Sequence, residues 1–225
     1  MAAFVLIPGA DGRAWYWHRV VPELRKLGHD AIPVDLPIAD ETAGLAACTD
    51  AVVNMAAGRR EVVLVAQSLA GFIAPLACDR LPVELLVLLN AMVPRPGESA
   101  GDWWDNVGHD AARAEAGYDG FDLLRDFFHD VPAEVTEEAM EGGAQSPSAT
   151  LFADPWPLQR WPAVPTRFLQ GRDDRFFPLE FQRRVVRERL GLAFDEMPGG
   201  HLLALSQPAA LADRLDAYWT SLPAR

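Results

Sequence analysis

Residues Val62-Val63-Leu64-Val65-Ala66-Gln67-Ser68-Leu69-Ala70-Gly71 constrain the fold more than any other stretch of this chain. A short apolar run rich in β-branched residues reads as a buried strand. It stops at a serine, and a helix-like stretch from Leu69 to Arg80 follows at once. Small residues stand two positions before the serine (Ala66) and two after it (Ala70). A strand that turns sharply into a helix brings the two backbones together, and only small side chains fit at that crossing. The residue at the apex takes a strained conformation that pushes its hydroxyl into open space. The common form of such an elbow is G-x-S-x-G; alanines replace both glycines here. A serine that opens a helix also serves as an ordinary N-cap, so the window needs support from elsewhere.

Two later segments supply it. Thr166-Arg167-Phe168-Leu169-Gln170-Gly171-Arg172-Asp173-Asp174 reads as a strand ending in a glycine turn that carries acids. Phe194-Asp195-Glu196-Met197-Pro198-Gly199-Gly200-His201 reads as a strand, a Pro-Gly-Gly turn and a histidine before the last helices. The order is Ser68, then an aspartate, then His201. A serine hydroxyl is a weak nucleophile at neutral pH and needs a base. The base in turn needs an acid to hold its tautomer and stabilise the imidazolium. His201 is the one histidine on a late loop after a strand; His18 and His29 fall on or just after the first helix, and His109 and His129 in the middle region. Adjacent residues on a turn point apart, so only one of Asp173 and Asp174 can serve. The spacing Gly171-x-x-Asp174-x-x-x-Pro178 favours Asp174. Asp173 then bonds the local backbone of the turn. For the oxyanion, the N–H of Leu69 sits at a helix start, and the N–H of Ala10 follows the turn Pro8-Gly9 after the first strand.

Strand and helix signals alternate along the chain. Phe4–Ile7, Ala31–Val34, Val62–Ala66, Leu85–Leu89, Thr166–Leu169 and Phe194–Met197 read as strands. Trp15–Leu27, Thr42–Ala57 (with Thr42 as cap), Leu69–Arg80, Phe181–Leu190 and Gln207–Leu222 read as helices. This alternation implies an α/β fold, a mostly parallel sheet covered by helices on both faces. It breaks between about Met92 and Trp161, where helical pieces occur around Phe121–Phe128 and Ala133–Met140. The expected organisation is a core in two parts, 1–91 and 162–225, with a small helical cap, 92–161, inserted between them. Trp103, Trp104, Phe127, Phe128, Phe152 and Trp156 are the cap-region aromatics expected to line an apolar acyl or alcohol pocket, with Leu202 beside the histidine.

The chain resembles the α/β-hydrolase superfamily, and within it the group of plant methylesterases and hydroxynitrile lyases with their bacterial relatives. The residues that carry the resemblance are Pro8-Gly9-Ala10 with Trp15-Tyr16-Trp17, Gly28-His29-Asp30, Asp35-Leu36, Ala66-Gln67-Ser68-Leu69-Ala70-Gly71, Ala91-Met92-Val93-Pro94, Asp174 through Gln182, and Gly200-His201. It implies the α/β-hydrolase fold and catalysis by Ser68, Asp174 and His201, and it independently favours Asp174 over Asp173. The chain departs from the family in having Pro8-Gly9 for His-Gly and Ala66-Gln67-Ser68 for Gly-His-Ser. The lyase members carry a lysine just after the histidine, where this chain has Leu202. That favours ester cleavage over C–C lyase chemistry. A receptor-like protein that keeps the fold with little turnover is the alternative from a different class.

Bulk properties narrow the partners. Among 225 residues the formal net charge is −12, with no basic patch, which argues against nucleic acid. Cys48 and Cys78 are the only cysteines and form no C-x-x-C, so both are expected as buried small apolar residues rather than disulfide or zinc ligands. No apolar run approaches the roughly 18 residues of a membrane span. Met1 leads directly into the first strand without a basic leader. The expectation is a cytoplasmic monomer or homodimer acting on a small-molecule ester, with no metal and no organic cofactor.

Overall fold

The computed structural model describes residues 1–223. Its sheet is built from β1 (Ala3–Ile7), β2 (Asp30–Pro33), β3 (Val62–Gln67), β4 (Val83–Leu89), β5 (Thr166–Gly171) and β6 (Asp195–Met197). The spatial order is β2-β1-β3-β4-β5-β6, and each neighbouring pair is parallel. Every residue of β1 and β3 is buried, as the continuous apolar runs require of central parallel strands. Alternate residues still point to opposite faces. Val5, Ile7, Leu64 and Ala66 pack with the helices Leu45–Met55 and Leu179–Leu190 on one side. Phe4, Leu6, Val63 and Val65 pack with Val20–Lys26 and Pro208–Thr220 on the other.

The first strand, β1, lies one place in from the β2 edge of this sheet. From β1 the chain crosses to the β2 edge, returns to β3, and proceeds to the β6 edge. The connections after β1 and β3 therefore leave in opposite directions. Open α/β sheets bind ligands at such a switch point, beyond the carboxyl ends of the strands. Pro8–Asp11 and Ser68 lie there.

Three helices differ from their sequence-based bounds for identifiable reasons. Trp15–Leu27 divides into a 3-10 turn, Ala14–Trp17, and a helix, Val20–Lys26. Pro22 lacks an N–H and is tolerated only in a first turn, where that N–H would have no intrahelical partner. The elbow helix likewise divides into Ser68–Phe72 and Ala74–Ala77, with Pro75 in the first turn of the second piece. The helix expected from Thr42 starts at Leu45. Thr42 bonds Asp40 instead, and the Leu45 N–H donates to Asp154 Oδ2 at 2.8 Å.

Between β4 and β5 the chain forms Ala100–Val107, His109–Glu115, Leu123–Phe127, Ala133–Glu141 and Ala149–Ala153, all helical. Part of this segment belongs to the main core: Ala100, Trp103, Leu151 and Trp156 pack with the β3–β4 face. Cys48 and Cys78 are buried and unpaired. Among the described residues, no helix is long and apolar enough to cross a membrane.

Asp154 thus caps a core helix from the inserted segment. Asp154→Ala should cost about 1 kcal/mol, the usual loss of an N-cap acceptor, measured as the shift in the denaturant midpoint at unchanged slope.

Candidate active site

Ser68 follows the last residue of β3 with φ at 54°, in the left-handed region where a Cβ is unfavourable. Its surroundings impose this turn. The Met92 N–H donates to the Ser68 carbonyl at 3.0 Å. A Cβ on Gly71 would fall 1.8 Å from the Met92 carbonyl oxygen, so the elbow helix crosses the β4 loop at backbone contact. A Cβ on Gly9 would lie 2.5 Å from Gln67 Oε1 and 3.0 Å from Ser68 Cβ, so the loop after β1 closes on the side chains of the elbow.

His201 arrives from the opposite direction, on the loop after β6. Gly199 turns that loop at a φ of 121°, which only glycine adopts readily. His201 Nδ1 is 2.8 Å from Asp174 Oδ2, and Nε2 is 3.2 Å from Ser68 Oγ. A carboxylate only accepts, so Nδ1 carries the proton and Nε2 is left as the acceptor facing the serine hydroxyl. Ser68, Asp174 and His201 are each at least nine-tenths buried.

Asp174 sits on the turn after β5. Its Oδ1 accepts from the N–H groups of Phe176 and Phe177, both at 2.8 Å, and Oδ2 also accepts from Gln170 Nε2 at 3.3 Å. Asp173 points elsewhere. Its carboxylate accepts from the Gly199 N–H at 3.0 Å, and its own N–H donates to the Gly199 carbonyl. This corrects the expectation of a purely local turn bond: Asp173 ties the β5 loop to the histidine loop.

Ser68 and His201 open onto an apolar cavity of about 130 Å3. Ala10 and Leu69 form its wall next to Ser68, and Trp104, Phe127, Phe152 and Leu202 line it as well. The other three aromatics do not reach it. Trp103 and Trp156 lie in the core, their indole N–H groups donating to the carbonyls of Val93 and Phe72, each at 3.1 Å. Phe128 faces away, toward Val131, Val135 and Leu205. Helical period explains the split: Trp103 and Trp104, and Phe127 and Phe128, are neighbours that must diverge by about 100°.

Gln67, Tyr16, Asp11, Met92 and Phe176 also line the cavity. Phe176 had a signal in being two residues past the acid. Tyr16 had none, because helical spacing put Trp17 rather than Tyr16 on the apolar side. Burial, together with the nearby Asp11, pushes the Tyr16 hydroxyl up to about 12, so it stays protonated. Phe127 stacks on the imidazole, with centroids 4.7 Å apart and planes 16° from parallel. Among the described residues, no group of three or more His, Cys, Asp and Glu side chains could hold a metal.

A sequence profile of the Alpha/beta hydrolase family matches residues 4–214. The chain belongs to that family. The fold has counterparts among known structures. Polyneuridine aldehyde esterase superposes with a TM-score of 0.80, at 23% identity over 97% of this chain and 99% of that one. A Paenibacillus extracellular alpha/beta-hydrolase superposes at 0.77, with 19% identity over 96% of this chain and 98% of the other. Identities this low speak for the fold alone. In sequence, the chain is similar to probable esterase PIR7A of Oryza sativa subsp. indica, at 38% identity over 111 residues, 44% of this chain and 42% of the rice protein. It is also similar to Methylesterase 3 of Arabidopsis thaliana, at 29% identity over 124 residues, 49% of this chain and 47% of the other. These matches span less than half the length of the curated relatives.

The aromatic wall behind Asp174 contains one further titratable group. His109 is buried among Trp104, Phe176, Phe177 and Phe181, with Nε2 donating to the Phe176 carbonyl at 2.8 Å. Burial lowers its pKa below the ordinary histidine value of 6.5. The unfolded chain then binds a proton that the folded chain resists, so His109 removes stability as pH falls through ~6.5 and is neutral to it above. His109→Gln, which keeps a donor, should lose less stability between neutral and mildly acidic pH than the parent, measured by denaturant midpoints at the two values.

Proposed function

We propose that this protein is a serine hydrolase that cleaves a small carboxylic ester through an acyl-enzyme on Ser68. The observation that carries the reading is the unbroken line of hydrogen bonds from Asp174 through His201 to a serine held at a left-handed turn. His201 Nε2 takes the hydroxyl proton as Ser68 Oγ attacks the ester carbon. The N–H groups of Ala10 and Leu69 receive the charge that develops on the carbonyl oxygen. His201 then returns the proton to the departing alcohol, and water repeats the sequence to release the acid. Phe176, Phe177 and Gln170 donate to the Asp174 carboxyl group and fix it against the imidazole.

The cavity bounds the group that enters. At about 130 Å3 it is comparable to the apolar cavity of about 150 Å3 that takes up benzene. Met92, Phe127, Phe152, Phe176 and Leu202 suit a compact apolar acyl or aryl group. Leu202 offers no cation to a leaving cyanide, so the ester reading is preferred to the lyase one. Similarity to plant esterases supports the reaction class. On this reading the enzyme works in the cytoplasm on a free small molecule, without metal, cofactor, nucleic acid or membrane, as a monomer or homodimer.

Ser68→Ala tests the reading directly. Hydrolysis of p-nitrophenyl acetate should fall by about 10⁴–10⁶ at an unchanged unfolding transition; a variant with parental turnover would overturn the assignment. The two neighbouring aspartates should separate by kind of effect. Asp174→Asn should lose on the order of 10⁴ in turnover, as when the orienting acid is lost in chymotrypsin. Asp173→Asn, which removes the charge from the acceptor of the loop tie to the Gly199 N–H, should cost about 1 kcal/mol of stability at most and little rate. Steady-state kinetics beside denaturation curves distinguish them.

A further inference from the structure

Asn90, the residue just after β4, is fully buried and has φ at 44°. Asparagine tolerates that left-handed conformation better than most side chains. Its amide makes three hydrogen bonds. The Gly171 N–H donates to Oδ1 at 2.7 Å. Nδ2 donates to the carbonyls of Gly200 at 3.0 Å and of His201 at 2.9 Å. Gly171 is the root of the acid turn, and its carbonyl accepts from the Asp174 N–H at 3.2 Å. One amide therefore bonds the start of the aspartate loop on one side and the backbone of the histidine on the other.

We propose that Asn90 is a positioning residue: its amide sets the place of the His201 imidazole between Ser68 and Asp174. The proposal rests on the reading of those three residues given above. Histidine has two side-chain torsions, so the ring follows its own backbone. That backbone leaves β6, an edge strand of three residues with a short ladder to β5. The loop needs anchors beyond the sheet. The Gly199 and Gly200 N–H groups are held by Asp173 and Asp130. The carbonyls of Gly200 and His201 are held by Asn90, and Gln67 Nε2 reaches the His201 carbonyl at 3.5 Å from the elbow side. Gly171 permits this crowding, since a Cβ there would fall 2.5 Å from the Gly200 carbonyl oxygen. A displacement of about 1 Å at reacting groups costs on the order of 10²-fold in rate, so an anchor on this carbonyl has kinetic consequences.

Two variants test it. Asn90→Gly keeps the left-handed backbone without strain and deletes the amide. Asn90→Asp keeps the size and the acceptor for Gly171 but turns an oxygen toward two carbonyls. Each is assayed with p-nitrophenyl acetate, with kcat and KM separated, and by the low-field proton NMR signal of the Nδ1–H between His201 and Asp174. Both should lose about 10²-fold in kcat with little change in KM, and the low-field signal should shift or broaden while unfolding stays cooperative. Unchanged kcat with an unchanged signal would overturn the proposal. Loss of the fold in both variants would also overturn it and make Asn90 a structural residue. The NMR arm needs no turnover. A parent protein that hydrolyses no ester would therefore count against the hydrolase reading, while the proton signal still decides the role of Asn90.

Discussion

Backbone held in the left-handed region at the ends of two adjacent strands underlies the whole site. Ser68 follows β3 at a φ of 54° and Asn90 follows β4 at 44°. Each such residue costs on the order of 1–3 kcal/mol and persists only where its surroundings over-determine it. Here they do. Met92 bonds the Ser68 carbonyl, Gly71 and Gly9 bring two further backbone segments into contact with the elbow, and the Leu169 carbonyl accepts from the Asn90 N–H. The cost yields two side chains that project where regular strand residues could not. One points a hydroxyl into the cavity. The other points an amide across the ends of β5 and β6.

The inserted helices turn this arrangement into an enclosed site. Phe127 covers the imidazole, and Phe176 and Phe177 meet it edge-on with centroids 5.3 and 5.2 Å away. Excluding water strengthens each remaining hydrogen bond and raises the cost of leaving any polar atom unpaired. Asp174 meets that demand with the N–H groups of Phe176 and Phe177 and the Gln170 amide. The insertion also stabilises the core: Trp103 and Trp156 fill it, and Asp154 caps the helix that begins at Leu45. The segment is therefore part of the fold's packing as well as the roof of the cavity.

Much of this was legible in the residues alone. The runs at Phe4–Ile7, Val62–Ala66 and Leu85–Leu89 announce central strands because a parallel sheet covered on both faces leaves no polar side to alternate. The strand–serine–helix junction, the acidic turn after β5 and the Gly-Gly-His loop after β6 each lie within a few residues of chain, where local patterns suffice. The start of the second helix was not legible, because its cap comes from Asp154, 109 residues away. The cavity aromatics were equally opaque. Trp104 and Phe127 reach the cavity and Trp103 and Phe128 do not, and their composition and spacing are the same.

What the sequence by itself determined is the order of elements and the places of Ser68, Asp174 and His201 on the loops after β3, β5 and β6, because turn chemistry and hydrophobic period are short-range properties. Tertiary structure alone decided how those three residues meet. The switch in strand order puts the loops after β1 and β3 on either side of one crevice, glycines at positions 71 and 171 let distant backbones touch, and Gly9 admits the Gln67 and Ser68 side chains. It also gave Asn90 its place, since its partners at Gly171, Gly200 and His201 become neighbours only when the ends of β4, β5 and β6 are brought side by side.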